Sequence, residues 1–220
     1  MDLSAVEARV IGSLAEKQLT TPQQYPLTIN ALVQACNQTS NRDPVVTYDD
    51  GTVEAALSSL REASLLRLVH PSHGRSATRY RQVLDERFGL DARSLSILAV
   101  LLLRGPQTIG ELRARTERMA DFDSLEEVEA ELHRMAEGDD AFVSRLPRRP
   151  GQKEERWAET LSAARPDSAV TSSMTVEPDG VDQRPENDEV ASLRAEVDAL
   201  RREVSRLSDA VSELRTALGL

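Results

Sequence analysis

Apolar positions along this chain follow a helical period first and then switch to a short alternating one. Val6, Val10, Ile11 and Leu14 fall on one helix face, and Ser4 with Glu7 stands at capping-box spacing just before it. A second helix is expected from Thr28 to about Cys36, and a third across Val53–Leu60. Leu66 to Val69 then reads as a short strand. A Pro71-Ser72-His73-Gly74-Arg75 turn follows, and a second extended run from Thr78 to Arg81 closes a hairpin.

The same plan recurs. Leu95, Leu98, Ala99, Leu102 and Leu103 give the first helix of a second set, stopped by Gly105-Pro106. Thr108 with Glu111, and Ser124 with Glu127, cap the next two. The stretch Val128-Glu129-Ala130-Glu131-Leu132-His133-Arg134-Met135 shares apolar spacing and a Val-Glu-Ala start with Val53–Leu60. Phe142 to Leu146, the basic turn Pro147 to Lys153, and Arg156-Trp157-Ala158 form the second hairpin signal. Three helices and a hairpin, twice over, predict a mainly α protein with small β-hairpin wings. Two tandem winged-helix domains would occupy residues 1–88 and 89–161. A pair of three-helix bundles is the competing reading, and the two hairpin signals favour wings.

Residues 162–188 turn to Ser, Thr, Pro, Asp and Glu, the composition of a disordered linker. Residues 189–220 then carry an unbroken heptad repeat. Its seam is Val190, Leu193, Val197, Leu200, Val204, Leu207, Val211, Leu214 and Leu218. Valine at a and leucine at d favour a two-stranded coil. Glu189 and Glu196 at g would meet Arg194 and Arg201 at e of a parallel partner, whereas an antiparallel pair would oppose like charges. A parallel coiled-coil homodimer is therefore expected.

Composition narrows the classes. Aromatic residues make up only 3% of the 220, so the cores must be built from Leu, Val, Ala and Ile. The formal charge of −10, from 27 basic and 37 acidic side chains, argues against strong nonspecific nucleic-acid binding, although local patches can override it. The single cysteine, Cys36, allows no intrachain disulfide, and the three histidines with it make no metal-ligand pattern. The longest apolar run, Ile97 to Leu103, is too short to cross a bilayer, and the N-terminus lacks signal-peptide character. A cytoplasmic protein without membrane contact or cofactor is expected.

The stretches Tyr25-Pro26-Leu27-Thr28-Ile29-Asn30-Ala31-Leu32, Ala35-Cys36-Asn37-Gln38 and Asn41-Arg42-Asp43-Pro44-Val45 carry a specific pattern. With Glu7-Ala8-Arg9-Val10-Ile11-Gly12 and Leu101-Leu102-Leu103-Arg104-Gly105, this pattern resembles the YceH-like family of uncharacterised bacterial proteins over about residues 3 to 161. The family pattern would place Lys where this chain has Thr39. The resemblance implies two tandem winged helices and a coiled-coil tail, and it implies no biochemical activity. Fold does not settle function.

No phosphate loop, nucleophile elbow or His-Glu-x-x-His motif is present, so no enzymatic activity is expected. Cys36 reads as a small buried hydrophobe. The polar segment from Asn37 to Pro44 has two open readings. It is either a contact surface, with Arg42 as the charge and Asn37, Gln38 and Asn41 as donors, or a turn that satisfies its own backbone. The wings supply further candidate contacts in Arg75, Arg79, Arg148, Arg149 and Lys153, with Arg81, Arg145 and Arg156 beside them. They could hold DNA phosphates or pair with neighbouring acids such as Glu154 and Glu155. The third helices start acidic, at Asp49-Asp50 and at Glu126-Glu127. The first expectation is a non-enzymatic dimer that contacts double-stranded DNA through its wings and the first turn, in transcriptional control; the alternative is a module that docks another protein.

Overall fold

The computed structural model describes residues 2–70, 77–137, 141–148 and 154–162. Each long helix begins where a side chain satisfies an orphan backbone donor. Ser4 and Glu7 close a reciprocal capping box at the start of α1 (Ala5–Thr20). Thr28 caps α2 (Ile29–Cys36) and Asp49 caps α3 (Asp50–Glu62). An antiparallel hairpin follows, β1 (Leu66–Val69) with β2 (Arg79–Gln82), in which Leu68 lies opposite Tyr80. The second set repeats the order. Asp91 caps α5 (Ala92–Arg104), Thr108 with Glu111 caps α6 (Ile109–Thr116), and Ser124 caps α7 (Leu125–Ala136). Its hairpin pairs β3 (Val143–Leu146) with β4 (Arg156–Glu159). Between the sets lies a short helix that the apolar spacing did not announce, α4 (Leu84–Phe88), ended by Gly89 at φ 64°. That left-handed turn favours glycine.

Each hairpin gains a one-residue third strand. Leu27 exchanges backbone hydrogen bonds with Tyr80, at 3.1 and 2.7 Å. Gln107 does the same with Trp157, at 2.9 and 2.8 Å. Both residues stand in a Pro-x-Thr-Ile sequence, Pro26 to Ile29 and Pro106 to Ile109, whose Thr is the cap of the next helix. The repetition also reaches a side chain. Arg79 donates to the Pro26 carbonyl at 2.7 Å, and Arg156 donates to the Pro106 carbonyl at 3.4 Å. The described residues thus form a mainly helical body with two small antiparallel hairpins, built as two copies of one plan.

The two copies share a core. Residues Ser94 to Leu103 of α5 are buried on every side, as expected of a helix apolar all round. One face of α5 meets α1, where Gly12 permits the approach: a Cβ there would lie 2.9 Å from Leu102 Cβ. The N-terminal end is tied in as well, since the Leu3 amide donates to the Leu161 carbonyl at 2.8 Å. The heptad seam from Val190 to Leu218 and the expected linker beyond Ser162 lie outside the described residues, as do Arg75, Arg149 and Lys153.

Candidate functional site

The segment from Asn37 to Pro44 leaves the end of α2, and its side chains turn inward. Arg42 is 5% exposed. Its Nη1 and Nη2 donate to the two oxygens of Glu16 at 3.1 and 2.7 Å, and its Nε and Nη2 donate to the Ala35 carbonyl at 3.0 and 2.8 Å. Arg9, also buried, donates to the carbonyls of Cys36 at 3.2 Å and Pro44 at 2.6 Å. The orphan carbonyls at the end of α2 are therefore held by two buried guanidinium groups, a charge placement the helix dipole favours. Burial pushes the Glu16 carboxyl up, but the hydrogen bonds and charge of Arg42, then Lys17, hold it below its ordinary value.

The amide side chains do related work. Asn37 mimics a strand partner for Tyr48, donating to its carbonyl and accepting from its amide, both at 2.8 Å. Gln38 accepts from Arg42 at 3.1 Å and from Lys17 at 3.4 Å. Asn41 sits at φ 59° and accepts from Arg104 of α5 at 3.1 Å. Of the two open readings, an exposed contact led by Arg42 does not fit its burial: the structure puts Arg42 inside, with a carboxylate and a helix end as partners. Nor is the turn satisfied by its own backbone alone: the Asn41 carbonyl takes Arg42, but further partners come from Glu16 of α1, Ala35 of α2, Tyr48 and Arg104 of α5.

Among the described residues the hairpin arginines have partners. Glu86 of α4 holds two arginines of the first hairpin, Arg67 at 2.6 Å and Arg81 more closely. In the second, Glu155 likewise takes Arg145 and, at 3.5 Å, Arg148. Arg79 is spent on the Pro26 carbonyl. Such exposed pairs contribute only about 0–1 kcal/mol each, yet they cancel field. The third helices stay acidic outward: Asp49, Asp50 and Glu54 on α3, and Glu126 and Glu129 on α7. On α7, Glu127 pairs with Arg93 at 3.2 Å and Glu131 with Arg134.

Cys36 is fully buried, and burial pushes its thiol up, so it is a poor nucleophile. Among the described residues no group of three or more His, Cys, Asp or Glu is placed to hold a metal ion, and no helix is long and apolar enough to cross a membrane. Sequence reasoning missed Arg9 and Glu16. The signal was present: Arg9, Ser13 and Glu16 stand at helical spacing on α1, a polar stripe, and all three are buried.

Residues 3–152 match the family described as "Protein of unknown function, DUF480". A UPF0502 protein of Solibacter usitatus is 51% identical over 160 residues, covering 73% of this chain and 76% of the relative. One from Geobacter metallireducens is 47% identical over 196 residues, 88% of each chain, and one from Geotalea daltonii is 46% identical over 194 residues, again 88% of each.

Proposed function

We propose that this chain, which belongs to the DUF480 family, is a non-enzymatic, dimeric tandem winged-helix module that docks a protein partner. The observation that carries this reading is the pair of carboxylates Glu86 and Glu155, each holding two wing arginines. A wing that grips phosphate needs its cations available, and among the described residues Arg67, Arg81, Arg145 and Arg148 already face a carboxylate. The acidic starts of α3 and α7 point the same way, since a recognition helix entering a groove would bring Asp50 or Glu126 toward phosphate. Dimerisation through the Val190–Leu218 seam would present two copies of each docking face.

DNA binding in transcriptional control keeps one specific support. Arg148 reaches Glu155 only at 3.5 Å and its side chain is 61% exposed, with Arg149 next in sequence. Titration of labelled duplex DNA with the full chain across a salt series separates the two. The docking reading expects no measurable duplex binding at physiological salt, and a stoichiometric protein partner that stays with the full chain through gel filtration. Tight binding that falls steeply with salt would instead establish the phosphate-contacting reading.

A further inference from the structure

Arg104, Arg115 and Arg118 converge on a narrow cleft whose other walls include Glu16, Asn41 and Met119. Arg104 ends α5, Arg115 lies in the last turn of α6, and Arg118 stands three residues further on. Their compensation is incomplete. Arg115 leans on Glu111 at 3.3 Å, and Glu16 is already engaged by Arg42 at 2.7 Å and Lys17 at 3.5 Å. Among the described residues the Arg104 guanidinium donates only to the amide oxygen of Asn41, at 3.1 Å. Arg118 has no hydrogen bond or ion pair among the described residues. Asp43 is felt by Arg104 without pairing to it. Among the residues that line the cleft, Arg104, Arg115 and Arg118 stand against the single carboxylate of Glu16, so the lining carries about two surplus positive charges.

That surplus stands out in a chain with 37 acidic and 27 basic side chains, where carboxylates are not scarce. Like charge accumulates here at a cost: burial, then the charge of Arg115, pushes the Arg104 guanidinium down. An anion at the cleft would relieve both effects.

We propose that this cleft binds a phosphate dianion, carried as the terminal group of a small phosphomonoester. Guanidinium forks match phosphate oxygens in pairs, and a phosphomonoester carries ~1.5 to 2 negative charges near neutral pH, which balances the surplus. The floor has room for only about one water molecule, so the head group would sit at the mouth of the cleft, against the guanidiniums, with its organic part outside. The walls come from α1, from the turn after α2, and from α5 and α6, so occupancy joins the two copies of the fold and should raise the melting temperature. The proposal stands independently of the partner-docking reading.

The test uses the full chain in calorimetric titrations and thermal melts at constant ionic strength, with inorganic phosphate and phenyl phosphate as probes. Saturable binding and a raised Tm are expected. Arg118→Ala should weaken binding roughly tenfold or more, the loss of one or two charge-assisted hydrogen bonds. Its Tm without ligand should not fall below that of the wild type, because Arg118 has no hydrogen bond or ion pair among the described residues. Arg61→Ala, which removes an exposed cation outside the cleft, should bind as the wild type does. Phenyl phosphate affinity should fall several-fold from about pH 7.5 to about pH 5.5, across its second pKa of ~6, while sulfate affinity holds. No histidine lines the cleft to mimic that profile. Absence of saturable binding at matched ionic strength, or equal losses in Arg118→Ala and Arg61→Ala, would overturn the proposal. Duplex DNA binding through Arg118 more tightly than phenyl phosphate would overturn the dianion assignment in favour of a phosphodiester backbone.

Discussion

Arg42 and Glu16 lie 26 residues apart in sequence and close a two-pronged ion pair at 2.7 and 3.1 Å inside the protein. Removing one partner leaves an uncompensated buried charge. Arg42→Ala should therefore lower the unfolding free energy by ~3–5 kcal/mol in urea titrations. The Glu16→Leu/Arg42→Met double variant should recover much of that loss, because the two charges are then absent together. A single variant within about 0.5 kcal/mol of wild type would show that the pair is solvated in solution.

Glu16 also dictates an acid response. Its folded value lies below the ordinary 4.5, so its stabilising contribution is complete above that pH and declines as pH falls toward the folded value. Melting curves of wild type and Glu16→Gln should differ most near neutral pH and converge as the solution is acidified below about pH 4.5. A gap that widens in acid would contradict this assignment.

Glycine to alanine should have opposite signs at two helical positions. At Gly12 the added methyl would meet Leu102 Cβ at 2.9 Å and Leu103 Cγ at 3.1 Å. Overpacking of ~1–3 kcal/mol should exceed the helix-propensity gain of about 1 kcal/mol. At Gly110 an added Cβ would meet nothing within 4 Å beyond its own helix backbone, so only the gain remains. Gly12→Ala should lower Tm and Gly110→Ala should raise it.

Neutralising Glu86 and Glu155 should expose what they cancel. The Glu86→Gln/Glu155→Gln variant frees Arg67, Arg81, Arg145 and Arg148. It should bind duplex DNA at low salt, with a slope of log affinity against log salt steeper than wild type by roughly 1 to 3. Indistinguishable salt profiles for variant and wild type would remove the carboxylates from the explanation.

The heptad seam sets the expected subunit number. The intact chain should sediment as a dimer, and a chain ending at Ala164 should sediment as a monomer, because residues 189–220 supply the apolar stripe that needs a second copy. Equal subunit numbers for the two would assign the contact elsewhere.

The local elements were legible in the amino-acid order. Ser4, Thr108 and Ser124 mark helix starts because a cap acts within three residues, and the hairpins follow from alternation bounded by turns. The repeated Pro-x-Thr-Ile before α2 and α6 was legible too, but its meaning was not, since Leu27 and Gln107 acquire a strand role only from partners about fifty residues away.

By itself, then, the sequence determined helix ends, the order of elements, their duplication, and the Val/Leu stripe at the C-terminal end. All of these depend on neighbours within a few residues. Tertiary structure alone decided that Arg42 and Arg9 serve the end of α2, that Arg104, Arg115 and Arg118 share one cleft, and that α5 is common to both copies. Whether a charge meets water, a carboxylate or another charge depends on chain brought from far along the sequence, and no local pattern encodes that distance.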